Sequence, residues 1–209
     1  MPIYPKMTSK NTALLVIDIV NGCCSEKCED SGITFKNIRA MVPQLKVFIE
    51  NFRKTGCKII FTNITPWTKK YLPQNIQLLY ADPEAAYYSD DTSGFPEEFY
   101  IIKPAKKDII VTKNRYDAFA DPKFRKVLKN NGIKYLVVAG VFTDGCVLAT
   151  ICGGFQAGYN FVILKDMIET TDVKIRQELS EHLKKYTFPV MYGKTMTGRE
   201  FLEKWQSAL

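Results

Sequence analysis

The sequence predicts an α/β fold: a single-domain three-layer sandwich in which a six-stranded, mostly parallel sheet carries helices on both faces, Rossmann-like in plan. Three observations predict it. Short apolar runs alternate with longer amphipathic stretches from one end of the chain to the other, the pattern of repeated strand–helix units. The runs are continuous in Ala, Leu, Val and Ile rather than alternating with polar residues, as strands buried on both faces require. The 209 residues, 46% hydrophobic and 24% charged, suit one full core, and no repeat or linker divides them, so residues 1–209 read as one domain.

The elements follow in order. The first strand is predicted over 12–18, and the cysteine-rich stretch CCSEKC (23–28) follows as a loop. Phe35, Ile38, Val42, Leu45, Ile49 and Phe52 recur at helical spacing and define a long helix despite Pro43, with Gly56 ending it. A second strand spans 57–63. Residues 64–106, rich in Pro, Tyr and Asp, form an irregular insertion with one short helix near 73–80, read as a lid or an oligomer contact. A third strand covers 108–113 and a helix 122–130, opened by Asp121 as N-cap and Pro122 at its first position. The fourth strand is 134–140, followed by a helix opening near Asp144 and ending at Gly158. The fifth strand is 160–166, and a helix running to Tyr186 buries Ile175, Leu179, Leu183 and Tyr186 as its stripe. A sixth strand near 187–191 and a helix over 197–205 complete the chain.

Bulk properties narrow the function classes. The apolar runs are too short to span a bilayer and no signal peptide is visible, so the expectation is a cytoplasmic protein with no membrane partner. Net charge is +7, but the basic residues are dispersed and no nucleic-acid motif accompanies them, so no nucleic-acid partner is expected. Cys23, Cys24 and Cys28 invite a zinc reading, yet no second ligand pair follows and the single histidine, His182, lies far along the chain. No metal and no cofactor are expected.

In a sheet of this kind ligands bind beyond the carboxyl ends of the strands. Asp18 ends strand one, Lys113 ends strand three, and strand four leads into GVFTDGCVLAT (140–150), which carries Cys146. Each alone has an ordinary explanation: a turn cap, a solvated strand end, a buried thiol. Together they form a coherent set, a carboxylate to take the thiol proton and an ammonium to favour the thiolate. The expected partner is a small-molecule substrate.

The chain resembles the isochorismatase-like cysteine hydrolases from about Thr12 to Trp205, in LLVIDIVNG (14–22), VTKNRYDAF (111–119), VAGVFTDGCVLAT (138–150) and GYNFVILKDMIETT (158–171). The resemblance implies a six-stranded parallel sheet, a homo-oligomer (dimer or tetramer), and a catalytic triad of Asp18, Lys113 and Cys146. It further implies an oxyanion hole of the backbone N–H groups of Phe142 and Cys146, with a cis peptide at Val141–Phe142. The implied reaction is attack of Cys146 on the carbonyl of a small amide, carbamoyl or ureido compound, followed by hydrolysis of a thioester.

Departures from the family sharpen this. The stretch FTNITPWTKKYLP (61–73) has no histidine and no acid, against the metal-binding nicotinamidases of the family. Asn21, Trp67, Tyr116, Phe119 and Phe142 are substrate-lining candidates by position, and Lys69, Lys70 and Arg115 could clamp a carboxylate. Three other readings stay open: a vinyl-ether hydrolase that uses Asp18 without Cys146, a non-catalytic scaffold, and a redox sensor built on the clustered cysteines.

Overall fold

A computed structural model describes residues 3–29, 32–81 and 91–207. Its sheet has six strands, all parallel, in the order β3-β2-β1-β4-β5-β6. They are β1 Thr12–Ile17, β2 Lys58–Ile64, β3 Ile109–Lys113, β4 Tyr135–Val141, β5 Asn160–Glu169 and β6 Gly193–Met196. The order reverses between β1 and β4, which are hydrogen-bonded neighbours although far apart in sequence. In sheets of this kind ligands bind at such a switch point, beyond the carboxyl ends of the strands.

Five helices cover the sheet: α1 Lys36–Phe52, α2 Pro122–Asn130, α3 Leu148–Gln156, α4 Lys174–His182 and α5 Gly198–Gln206. The predicted stripe of α1 is buried as expected, and Pro43 lies on its wet side. With α5 it packs on one face of the sheet, where Phe48, Phe52, Phe201 and Trp205 join Leu14, Val16, Val162 and Leu164. On the other face, Phe124 of α2 and Ile151 of α3 meet Leu15, Ile17, Val138 and Ile163. Asp121 caps α2 by accepting from Lys123 N, as predicted.

Three expectations are corrected. The regular helix after β4 does not open at Asp144: Thr143–Val147 form a wide π-helical turn, interrupted at Gly145, and the regular helix starts at Leu148. The sixth strand is not 187–191, because Leu183–Tyr192 stay helical in a π segment and Gly193–Met196 pair with β5 instead. Glycine suits that start, since a Cβ on Gly193 would lie 2.5 Å from Phe161 O. The stripe of α4 is inverted: Leu183 is buried, but Ile175, Leu179 and Tyr186 face outward. Of the irregular region over 64–106, residues 82–90 lie outside the described residues. Its end is stitched to the segment after β1 by Asn21 N to Glu98 O, Gly22 N to Pro96 O and Tyr100 N to Ile19 O.

Candidate active site

At the switch point the register pairs Ile17 with Gly140. Gly140 has φ 124°, and a Cβ there would lie 2.1 Å from Ile17 O, so only glycine lets the two strand ends come this close. The next residue of the first strand end, Asp18, has φ 52°, the only non-glycine in the left-handed region among the described residues. Aspartate tolerates that region better than a branched residue, and the turn aims its carboxylate back over the sheet.

There it meets Lys113 from the edge strand. Lys113 Nζ lies 2.6 Å from Asp18 Oδ2 and 3.3 Å from Cys146 Sγ, and donates to Arg115 O at 3.0 Å. Three acceptors thus match the three donors of one ammonium. Both charged side chains are only 1% exposed. Asp18 Oδ1 accepts from Thr62 Oγ1 at 2.7 Å, and Thr62 Oγ1 in turn accepts from Asp18 N at 3.2 Å. Thr62 escaped the sequence reading; it is the one polar side chain among the buried positions of the strand KIIFTNI.

The electrostatics of the thiol follow from these contacts. Burial drives the Cys146 thiol upward; Lys113 opposes this, while the charge of Asp18 and its hydrogen bond to the thiol reinforce it, and the net result is about 12. Burial and Asp18 thus favour the protonated thiol, against the pull of Lys113. Burial alone would lower the Lys113 value, but Asp18 and then Cys146 override it and the ammonium is held charged. Cys146 itself remains partly accessible while its two partners are sealed.

The Val141–Phe142 peptide is cis, as expected. Phe142 O accepts from Gly145 N at 2.9 Å and Val147 N at 3.1 Å, which closes the turn around Cys146. A second ion pair braces this turn from behind. Arg176 of α4 grips Asp144 with two bonds, Nε to Oδ2 at 2.6 Å and Nη2 to Oδ1 at 2.7 Å, and Thr170 Oγ1 donates to the same Oδ1 at 2.5 Å. The Arg176 guanidinium also lies 5.1 Å from the Phe142 ring centroid. Burial would raise the Asp144 carboxyl, but the bonds from Arg176 and Thr170 hold it below the ordinary aspartate range. Sequence reading missed this brace because its members are 26 and 32 positions apart.

The substrate-lining candidates divide. Trp67 and Tyr116 form a ring pair at 5.8 Å, Tyr116 well exposed. Phe142 stacks on Phe35 at 6.0 Å. Two of the candidates are packed. Phe119 is in the core, edge-on to Phe124 at 5.0 Å, where Gly154 leaves room for its ring. Asn21 is buried, and its amide donates to Phe95 O at 3.0 Å. Lys69, Lys70 and Arg115 are exposed, Lys70 over the Tyr71 ring. All six cysteines are free thiols, and among the described residues no group of three or more His, Cys, Asp or Glu could hold a metal.

With this geometry in hand, comparison with known proteins decides the family. The isochorismatase domain model matches residues 12–194. The chain belongs to the isochorismatase family. It is a hydrolase of that family, and no helix among the described residues is long and apolar enough to cross a membrane. Among curated relatives of this isochorismatase-family chain, the ureidoacrylate amidohydrolase RutB of Pantoea ananatis is 27% identical over 177 residues, covering 76% of this chain and 69% of the relative. A cysteine hydrolase from Pseudomonas syringae pv. phaseolicola superposes with a TM-score of 0.77 at 18% identity, covering 100% of this chain and 99% of the other. N-carbamoylsarcosine amidase from Thermoplasma acidophilum gives a TM-score of 0.66 at 19% identity, with 90% and 96% covered. The two structural likenesses speak for the shared fold.

Proposed function

We propose that this chain is a metal-independent cysteine hydrolase that cleaves the C–N bond of a small amide, carbamoyl or ureido compound through a thioester. The observation that carries the reading is the contact of one buried ammonium with both a carboxylate and a thiol at the switch point, 2.6 Å from Asp18 and 3.3 Å from Cys146. Because burial and Asp18 favour the protonated thiol, Asp18 removes its proton as Sγ attacks the carbonyl carbon. The carbonyl oxygen becomes an oxyanion beside the amides of Phe142 and Cys146. Collapse expels the nitrogen, which takes the proton from Asp18 and leaves as ammonia or an amine. Asp18 then deprotonates water as its oxygen adds to the thioester carbon; collapse breaks the C–S bond, releases the carboxylic or carbamic acid, and Asp18 returns the proton to sulfur. The net change is one water consumed and one C–N bond broken.

Lys113 stays charged throughout, holding the carboxylate in place and offsetting negative charge at sulfur. The amide- and carbamoyl-cleaving names of the RutB relative and the sarcosine amidase neighbour point to the same substrate class. The test is a panel of primary amides, N-carbamoyl amino acids and ureido acids scored by ammonia release, with intact-mass detection of an acylated Cys146 and a parallel run in chelator. Release that survives chelation and depends on Cys146 supports the reading. Release lost with chelator, or hydrolysis of a vinyl ether by a Cys146→Ala protein, overturns it.

A further inference from the structure

The turn that carries Cys146 is not a regular helix. Gly145 has non-helical angles within Thr143–Val147, and two of the bonds that close the turn, from Gly145 N and Val147 N, converge on one acceptor, Phe142 O. Asp144 stands between Phe142 and Cys146, the two residues whose amides would form the oxyanion hole. Its side chain is held from outside the turn: Arg176 of α4 binds both carboxylate oxygens, and Thr170 at the end of β5 binds one of them. The Phe142 ring has two neighbours, the Arg176 guanidinium at 5.1 Å and the Phe35 ring at 6.0 Å. Phe35 is itself fixed by the segment after β5, because Asp172 accepts from Thr34 Oγ1 at 2.6 Å, Lys36 N at 2.7 Å and Asn37 N at 3.1 Å. Residues 170–172 therefore bear on both Asp144 and Phe35. All of these supports act on Asp144 and Phe142, whereas the thiol has its own partners in Asp18 and Lys113.

We infer that Arg176, acting through Asp144 together with Thr170, is the positioning residue of the oxyanion hole: it fixes the Phe142 amide relative to that of Cys146 and leaves the reactivity of the thiol to Asp18 and Lys113. The inference rests on the cysteine-hydrolase reading. Arg176 and Asp144 neutralise one another, so the pair works by geometry rather than by adding positive charge to the hole. Geometry is enough to matter. Loss of one oxyanion donor costs roughly 10²–10³-fold in kcat, and a displacement of about 1 Å costs about 10²-fold. A bidentate grip suits the task, because two parallel bonds fix the orientation of the carboxylate as well as its distance.

The test compares two reactions of one thiol in the full chain. Hydrolysis of an amide builds an oxyanion. Alkylation by iodoacetamide does not: sulfur bonds to a saturated carbon, iodide leaves, and the thiol proton is lost. Asp144→Asn and Thr170→Val are assayed on the amide, carbamoyl or ureido compound that the wild type turns over fastest, and alkylation of Cys146 is followed by peptide mass across pH. For Asp144→Asn, kcat is expected to fall about 10- to 100-fold with KM nearly constant, and for Thr170→Val by less. The alkylation rate and its pH profile are expected to stay at the wild-type values in both. Lys184→Met removes a different tie of the same helical region, the 3.3 Å pair with Glu169, and is expected to lower the melting temperature with kcat unchanged. Wild-type kcat in Asp144→Asn overturns the inference, as does alkylation that falls in step with kcat, or an equal loss of kcat in Lys184→Met. If Asp144→Asn does not fold, the same two rates in Thr170→Val decide. These results leave the hydrolase reading standing, whereas a wild type that releases no ammonia from any compound overturns that reading and this inference with it.

Discussion

Two carboxylate–cation pairs flank Cys146, one buried and one part-buried, and they are built differently. Asp18 and Lys113 meet by a single contact of 2.6 Å, and the ammonium also reaches the thiol. Asp144 and Arg176 meet by a two-toothed contact, with Thr170 adding a third bond. The first pair is the reactive one in the proposed mechanism: its carboxylate hydrogen-bonds the Cys146 thiol. The second is saturated, and its depressed aspartate is a poor base but a firm anchor. In the proposed mechanism one pair does chemistry beside the thiol, while the other holds the turn that carries it.

The largest test of this division is Cys146→Ala. Amide turnover should fall about 10⁴-fold or more, as removal of a nucleophile does, with the melting temperature little changed. Next, Lys113→Met leaves Asp18 as an uncompensated buried charge and should lower unfolding free energy by about 3–5 kcal/mol in denaturant titrations. Turnover should fall with it. If Lys113→Met were as stable as the wild type, the two pairs would differ less than their geometry indicates.

Arg176→Ala should cost about 2–3 kcal/mol of stability, the scale of hydrogen bonds to a charged group. Arg176→Lys should recover part of the stability but not the two-toothed grip, so kcat should fall about 10-fold with KM nearly constant. Equal recovery of kcat and stability by lysine would reduce the brace to simple charge.

The same pair predicts an acid limb. Because Asp144 titrates lower in the folded chain than unfolded, its contribution is complete above the unfolded value of about 4 and disappears as pH falls through the folded value. Urea midpoints of Arg176→Ala should therefore depend less on pH below about 4 than those of the wild type. The smallest effect is on free-enzyme alkylation. With its thiol pushed up to about 12, Cys146 should label slowly at neutral pH and accelerate steadily into the alkaline range. Fast labelling at pH about 6 would mean that Lys113 outweighs burial after all.

What the sequence alone determined was the alternation of elements and the three strand-end residues. Apolar periodicity and strand-end position are local properties, so β1 to β5, α1, α2 and the set Asp18, Lys113 and Cys146 were legible along the chain. Only the tertiary structure decided the rest. Thr62 and the Asp144–Arg176–Thr170 brace join residues distant in sequence, and no local pattern announces such a pair. Phe119 and Asn21 carry side chains suited equally to packing and to ligand, and only the tertiary structure shows the neighbours each of them meets. Hydrophobic period told that α4 has an apolar face, but not which way it turns. Its polar side is held inward by Glu169, Asp144 and the carbonyls of Thr170 and Thr171, groups that lie outside the helix itself. The protonation of Cys146 was undecidable for the same reason: burial and two opposing charges are properties of the assembled site.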